Sequence, residues 1–414
     1  MNRAGLLQSS RSLLRSLGFA LSNQIRRSRY DIVFYYPSHF NRSENRDNPY
    51  FLPLYEACDK AGLRYLILEE PDSFFDARRN PQATPADTLL LLSILLRKAM
   101  PLKFFGPWRK REWRIGKILK ILALRRLTFS TFITMSQSFV EHVRGMGEDI
   151  AIFDLQHGIF HANHETMFDA RGAIARHVIE NRLNFLLYGR GFKTLLVDND
   201  PSGYYRTHAF VVGNPLKRKD AAFPQRENRK RILVSLQFMD FAEDCPECND
   251  VMAEKLEEFL KHLNPIVQSH GFTVTLKHHP RFNHSVSLQR LIPARSPIEI
   301  ETQKPVSTLL QEALIHVTFS SSTLLEASDA GVPTLLLQNP TRVLSPDFFV
   351  DELHYPLAPM SPAKAAACIK QYIEDPELYR RDREIVVKWQ NDYFRPFDEK
   401  KFLEALRKTA KDRY

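Results

Sequence analysis

Short apolar runs alternate with longer, mixed stretches through most of the chain. Segments 31–36, 64–68, 129–134, 150–153, 183–187 and 209–212 are brief, apolar and rich in β-branched or aromatic residues, the pattern of buried strands. Helical spacing covers 50–62 and begins again at Ser138. The stretch 217–231 then carries seven bases and little apolar content, directly after Gly213-Asn214-Pro215, and reads as a linker. Beyond it the alternation restarts. Strands are predicted over 232–236, 272–276, 298–301, 315–319 and 334–337, with helices over 251–269, 306–313 and 323–329. The final stretch of about 50 residues reads as helices.

Strand–helix alternation implies parallel sheets with crossover helices. Two such runs predict an α/β protein of two doubly wound, Rossmann-like domains facing a cleft, with a helical C-terminal segment. The expected divisions are a basic N-terminal segment 1–29, a first domain 30–215, a linker 216–231, a second domain 232–375 and C-terminal helices 376–414. A chain of 414 residues accommodates this comfortably.

Composition narrows the class. Hydrophobic residues at 43% and charged residues at 26% are ordinary for a globular protein, which excludes wholesale disorder and a membrane-spanning bundle. Cys58, Cys245, Cys248 and Cys368 are too few and scattered for a disulfide framework and suit a reducing compartment. The net charge of +10 is local: residues 1–29 carry +6, residues 102–126 carry +8, and the remainder is slightly acidic. Leu6, Leu13, Leu14, Leu17 and Leu21 recur at near-helical spacing between arginines, so the first segment predicts a basic amphipathic helix. Arg11 and Arg15 interrupt any signal-peptide core. The longest apolar run, 89–96, is far short of the ~20 residues that span a bilayer.

Candidate chemistry gathers where predicted strands end, the edge at which open parallel sheets bind ligands. Gln156-His157-Gly158 follows one strand, with His157 a candidate general base and Gly158 leaving room for a substrate. Leu236-Gln237 ends another. Lys277-His278-His279-Pro280 puts a fixed charge and two imidazoles at a third, suited to a phosphate leaving group. Ser320-Ser321-Ser322-Thr323 ends a fourth and opens a helix containing Glu326, where unpaired N–H groups and hydroxyls favour a phosphate. Each cluster could equally be an ordinary polar loop or a plain helix cap. His161 and His164 follow His157 at helical spacing, but no carboxylate or thiolate cluster supports a metal. Asp198-Asn199-Asp200, beside Pro201 and Gly203, reads as a turn, and Cys245/Cys248 is a C-x-x-C without a partner pair.

Gln156-His157-Gly158, Gly213-Asn214-Pro215, Lys277 to Pro280 and the run from Ser320 to Pro333 come in an order and spacing that resemble the GT-B glycosyltransferases of bacterial capsule and surface-polysaccharide synthesis. The resemblance extends to His-Pro-motif sialyltransferases and CDP-glycerol glycerophosphotransferases. It covers roughly residues 150–340. It implies that Lys277, His279 and Pro280 contact the donor phosphate, that Ser320, Ser321, Ser322 and Thr323 hold it, and that Glu326 reaches the ribose. His157 would be the acceptor-side base beside Gln156 and Gly158. The sialyltransferase acidic motif has no clean copy here; Asp154 is the nearest substitute.

The expected activity is metal-independent transfer of a sugar or sugar-like unit from a nucleotide-activated donor, CMP- or CDP-linked, to a lipid-linked surface glycan. No cofactor and no nucleic acid are expected. The protein is expected in the cytoplasm, held peripherally at the anionic inner membrane by its basic segments. A soluble nucleotide-sugar 2-epimerase is the alternative on the same fold. A basic nucleic-acid-binding protein, suggested by Trp108-Arg109-Lys110-Arg111-Glu112-Trp113-Arg114, is a third.

Overall fold

The computed structural model describes residues 3–41, 43, 45–72, 79–160, 166–169, 171–217, 229–238, 248–278, 286–339 and 346–411, with side chains from 10 to 409. They form two compact units, the first comprising residues 1–219 and 395–414, the second residues 220–394.

The first unit is built on seven parallel strands: β1 (Ile32–Pro37), β2 (Tyr65–Glu70), β3 (Thr84–Pro85), β4 (Thr131–Met135), β5 (Ala151–Leu155), β6 (Leu183–Leu187) and β7 (Ala209–Val211). Their order is β3-β2-β1-β4-β5-β6-β7, so the winding reverses between β1 and β4. Strands β1, β4, β5 and β6 are buried along their whole length. Their continuous apolar runs therefore fit a sheet covered on both faces. The short pair Ser28–Arg29 and Leu127–Thr128 lies apart from this sheet.

The helices of this unit are α1 (Arg3–Ile25), α2 (Leu52–Lys60), α3 (Asp87–Ala99), α4 (Leu102–Phe105), α5 (Trp108–Leu122), α6 (Val140–Met146), α7 (Arg176–Glu180), α8 (Arg190–Asp198) and α9 (Tyr204–His208). The basic run 102–126 is mostly helical, and its one acid, Glu112, is buried between Arg97, Arg111 and His142. Burial raises the carboxyl's pKa, but bonds from His142 and Arg97 overcome this and hold it at about 2. Helices α5 and α6 cross at Gly116 and Gly145. A Cβ on Gly116 would drive into the His142 carbonyl, and one on Gly145 into that of Trp113.

The second unit has five parallel strands: β8 (Arg231–Leu236), β9 (Thr273–His278), β10 (Ile298–Glu301), β11 (Ile315–Thr318) and β12 (Thr334–Leu336). Their order is β10-β9-β8-β11-β12, reversing between β8 and β11. Around them lie α10 (Cys248–His270), α11 (Val306–Glu312), α12 (Thr323–Asp329), α13 (Asp347–Asp351), α14 (Pro362–Glu374) and α15 (Pro376–Tyr393). Leu233, Leu309, Leu310, Ala313, Ala327 and Val332 form one core cluster. His316 on β11 is fully buried, with Nε2 2.7 Å from Ser235 Oγ and Nδ1 2.9 Å from Thr334 Oγ1.

The C-terminal helices divide between the units. α15 packs against α12 and α14 in the second, whereas α16 (Glu399–Lys411) packs on α2 and β7 in the first. The returning chain meets the outgoing one side by side: Asn214 N–H donates to the Arg395 carbonyl at 2.7 Å. Gly213, at φ +89°, is there because a Cβ would collide with the Pro396 carbonyl. Cys58 and Cys368 are free thiols, while Cys248 is disulfide-bonded.

Candidate functional site

In an open parallel sheet the crevice for a ligand lies beyond the carboxyl ends of the strands, where the winding reverses. In the first unit that point joins the ends of β1 and β4. Phe40 follows β1, Ser136 follows β4 and His157 follows β5. Ser136 Oγ and His157 Nε2 are 3.1 Å apart, and the Phe40 ring stands edge-on to the imidazole at 5.4 Å. Ser136 and His157 are both exposed. Next to it, His39 Nδ1 and Asp72 Oδ1 are 2.7 Å apart.

The turn after β4 is held in an uncommon backbone conformation. Ser136, Gln137 and Phe139 all have positive φ, three of the seven such non-glycine residues among those described. Strain of this kind persists only where neighbours fix it. The Gln137 N–H donates to Asp154 Oδ1 at 3.0 Å, its side-chain amide donates to the Thr166 carbonyl, and its Oε1 accepts from His177 Nε2 at 2.7 Å. Burial pushes the Asp154 carboxyl up to about 7, only partly offset by the Gln137 N–H. Burial, then the Arg109 charge, lowers the His177 pKa.

Gln156 is buried with both ends of its amide committed. Its Oε1 accepts from the Tyr188 N–H and its Nε2 donates to the Gly158 carbonyl, both at 2.9 Å. It fixes the His157 loop to the end of β6. Among the described residues, a Cβ on Gly158 would meet nothing within 4 Å. His161 and His164 lie outside the described residues. Among those described, no cluster of three or more His, Cys, Asp or Glu could hold a metal.

In the second unit the winding reverses between Ser235 on β8 and Thr318 on β11, whose Oγ1 donates to the Ser235 carbonyl at 2.8 Å. The serine turn begins at this point. Ser321 is buried and bonds the Thr323 hydroxyl at 2.9 Å, and the Thr323 N–H donates back to Ser321 Oγ at 3.3 Å. Ser320 Oγ is buried without a hydrogen-bond partner among the described residues, whereas Ser322 and Glu326 are exposed. Lys277, on β9, lies in register with Ser235 on one side and Glu301 on the other. Its burial lowers the ammonium pKa, against the pull of Glu301. Lys277 and the serine turn thus flank the same central strand at the same edge. His279 and Pro280 lie outside the described residues.

Ser136, Gln137 and Phe40 carried no signal in the sequence, because what gathers them is the order of strands. Asp200, by contrast, closes the expected turn by accepting from the Ser202 and Tyr205 N–H groups.

No family model and no curated protein matches this chain. Solved structures do. The UDP-GlcNAc 2-epimerase from Neisseria meningitidis bound to UDP-GlcNAc is 12% identical, with 91% of this chain and 100% of that one covered and a TM-score of 0.55. The S. aureus MnaA–UDP structure is 13% identical over 90% and 95% of the two chains, at 0.53. A variant of the wall teichoic acid polymerase TagF is 12% identical over 98% of each chain, at 0.51. The chain has the GT-B fold. At these identities the likeness concerns architecture, and the GT-B neighbours include both glycosyltransferases and epimerases.

Proposed function

We propose that the protein is a glycosyltransferase that binds a nucleotide-activated sugar in its second unit and passes the sugar unit to a lipid-linked glycan acceptor at a membrane surface. The observation that carries this reading is the position of Lys277 and the Ser320–Thr323 turn on either side of β8, at the reversal point of the sheet. A buried cation and an unpartnered buried hydroxyl suit the phosphate of a cytidine nucleotide. By the resemblance His279 and Pro280 would contact the same phosphate, and Glu326 would take the ribose. In the first unit His157 would accept the proton of the acceptor hydroxyl, with Ser136 orienting its ring. Attack at the anomeric carbon breaks the bond to phosphate oxygen, and fixed positive charge stabilises the departing phosphate.

Thermal-shift measurements against CMP, CDP, UDP and GDP test the donor site. A nucleotide at ~100 times its Kd stabilises by about 2.7 kcal/mol. We expect a cytidine nucleotide to give the largest shift and Lys277→Ala to abolish it; no shift with any nucleotide would remove the reading. His157→Ala should keep the nucleotide shift and lower transfer by about 10²–10⁴-fold.

The likeness to 2-epimerases supports a second reading on the same donor site. An epimerase needs no acceptor. Nucleotide sugar incubated alone in D₂O would gain deuterium at C2 under this reading and stay unchanged under the first.

A further inference from the structure

Helix α1 packs the wrong way round for a helix that serves only the domain core. Its buried stripe is small and polar: Ser12, Ser16, Ala20 and Asn23. Ser16 Oγ accepts from the Thr88 N–H at 2.8 Å, and Arg15 donates to the Ala83 carbonyl at 2.9 Å, which anchors the helix to the domain. The opposite face is apolar and open. Leu14 is 67% exposed, Leu17 44%, Leu21 56% and Ile25 72%, at i, i+3, i+7 and i+11, one continuous ridge.

The ridge does not stop at the helix end. Gln24 Nε2 donates to the Ile121 carbonyl, and Arg126 donates to that of Ile25. These bonds set the C-termini of α1 and α5 together, where Ile121 is 63% and Leu122 51% exposed. Contiguous exposed apolar surface of this kind marks an interaction site.

Its charge says what it meets. Helices α1, α3, α4 and α5 have no exposed carboxylate: their acids are Asp87 and Glu112, both buried. Arg11, Arg26, Arg27, Lys110 and Lys117 are exposed and, among the described residues, in no ion pair. A second copy across a two-fold axis would set these bases against themselves, since such an interface pairs a patch with its own image. Nucleic acid would match the bases and leave the leucine ridge in water. An anionic bilayer satisfies both, apolar side chains entering the acyl boundary and bases lying among headgroup phosphates.

We propose that the α1 ridge and the α5 tip form a docking face for an anionic phospholipid bilayer, inserted in the interface plane without spanning it. No helix among the described residues is long and apolar enough to cross a membrane. The face extends the reading above, on which it rests for a lipid-linked acceptor, but it needs no nucleotide.

The full chain is sedimented with vesicles of equimolar phosphatidylcholine and phosphatidylglycerol, and with phosphatidylcholine alone. It should pellet with the first, remain in solution with the second, and be released by high salt. A Leu21→Glu/Ile25→Glu/Ile121→Glu variant should partition at least about tenfold less with an unchanged melting temperature, since all three side chains are exposed. Ile385→Glu, exposed in the second unit, should behave as wild type. Undiminished pelleting of the triple variant, an equal loss in Ile385→Glu, or wild type that never pellets would overturn the proposal. So would a dimer in analytical ultracentrifugation that the triple variant dissociates and vesicles do not compete with. Nucleotide thermal shifts on the same samples report the donor site independently.

Discussion

His316 has both ring nitrogens spent on hydroxyls of the strands beside it, and burial lowers its pKa to about 3. In the unfolded chain it titrates near ~6.5. The unfolded state therefore binds the extra proton first, so stability from this group is complete above ~6.5 and falls as pH drops toward about 3. His316→Leu should flatten that slope in urea unfolding measured from pH 7.5 to 5. At neutral pH it should cost about 1–3 kcal/mol, because two buried hydroxyls lose their partner. An unchanged slope would mean another group carries the pH dependence. Nothing in Ile315-His316-Val317 hints at this, since the partners lie 81 and 18 residues away in sequence. His157 is the converse case: its strand-end position was legible from the short apolar run before it, while the Ser136 and Phe40 that surround it were not.

At the scale of elements, Gly116 and Gly145 set two physical effects against each other. Alanine in a helix interior is favoured over glycine by about 1 kcal/mol. Here the added methyl meets a backbone carbonyl, which cannot rotate away, and overpacking costs about 1–3 kcal/mol or more. Gly145→Ala should therefore destabilise the protein, whereas Gly18→Ala, on α1 with nothing within 4 Å, should leave it equal or slightly firmer. Equal effects in thermal melts would show that α5 and α6 can slide apart. Elements bounded by clear polar or proline punctuation were read to the residue: Leu183–Leu187, Ile298–Glu301 and Thr323–Asp329. Helices α3 and α5 were missed as elements. In α5 the bases masked the buried Ile115 and Leu119, and only contacts with Glu112 and Glu180 show which bases are structural. The helix predicted from Ser138 starts at Val140 because Phe139 sits left-handed before it.

Across the whole molecule, strand order was the part the sequence left unread, and it is what gathers isolated polar loops at two reversal points. Alternation gives the number and direction of strands; which strand neighbours which depends on crossovers that local pattern does not record. Connectivity adds a testable asymmetry. Helix α16 buries Phe402 and Ala405 and pairs Glu399 with Lys60 at 2.8 Å, all within the first unit. Removing residues 395–414 should lower the melting transition of the first unit and leave that of the second where it was, read by calorimetry. A matching drop in both would show that the two melt as one.

The meeting of Asn214 with Arg395 also sets a timetable. Domains generally fold as they leave the ribosome, N-terminal ones first. In this chain the second unit is an insert within the first, its sequence complete at Phe394, while the first still lacks residues 395–414. The sheet that begins at Ile32 waits, with the surface meant for α16 uncovered, until residues 399–411 have been made. The domain begun first is thus closed only after the whole of the second has been made, because residues 395–414 follow residues 220–394 in the chain.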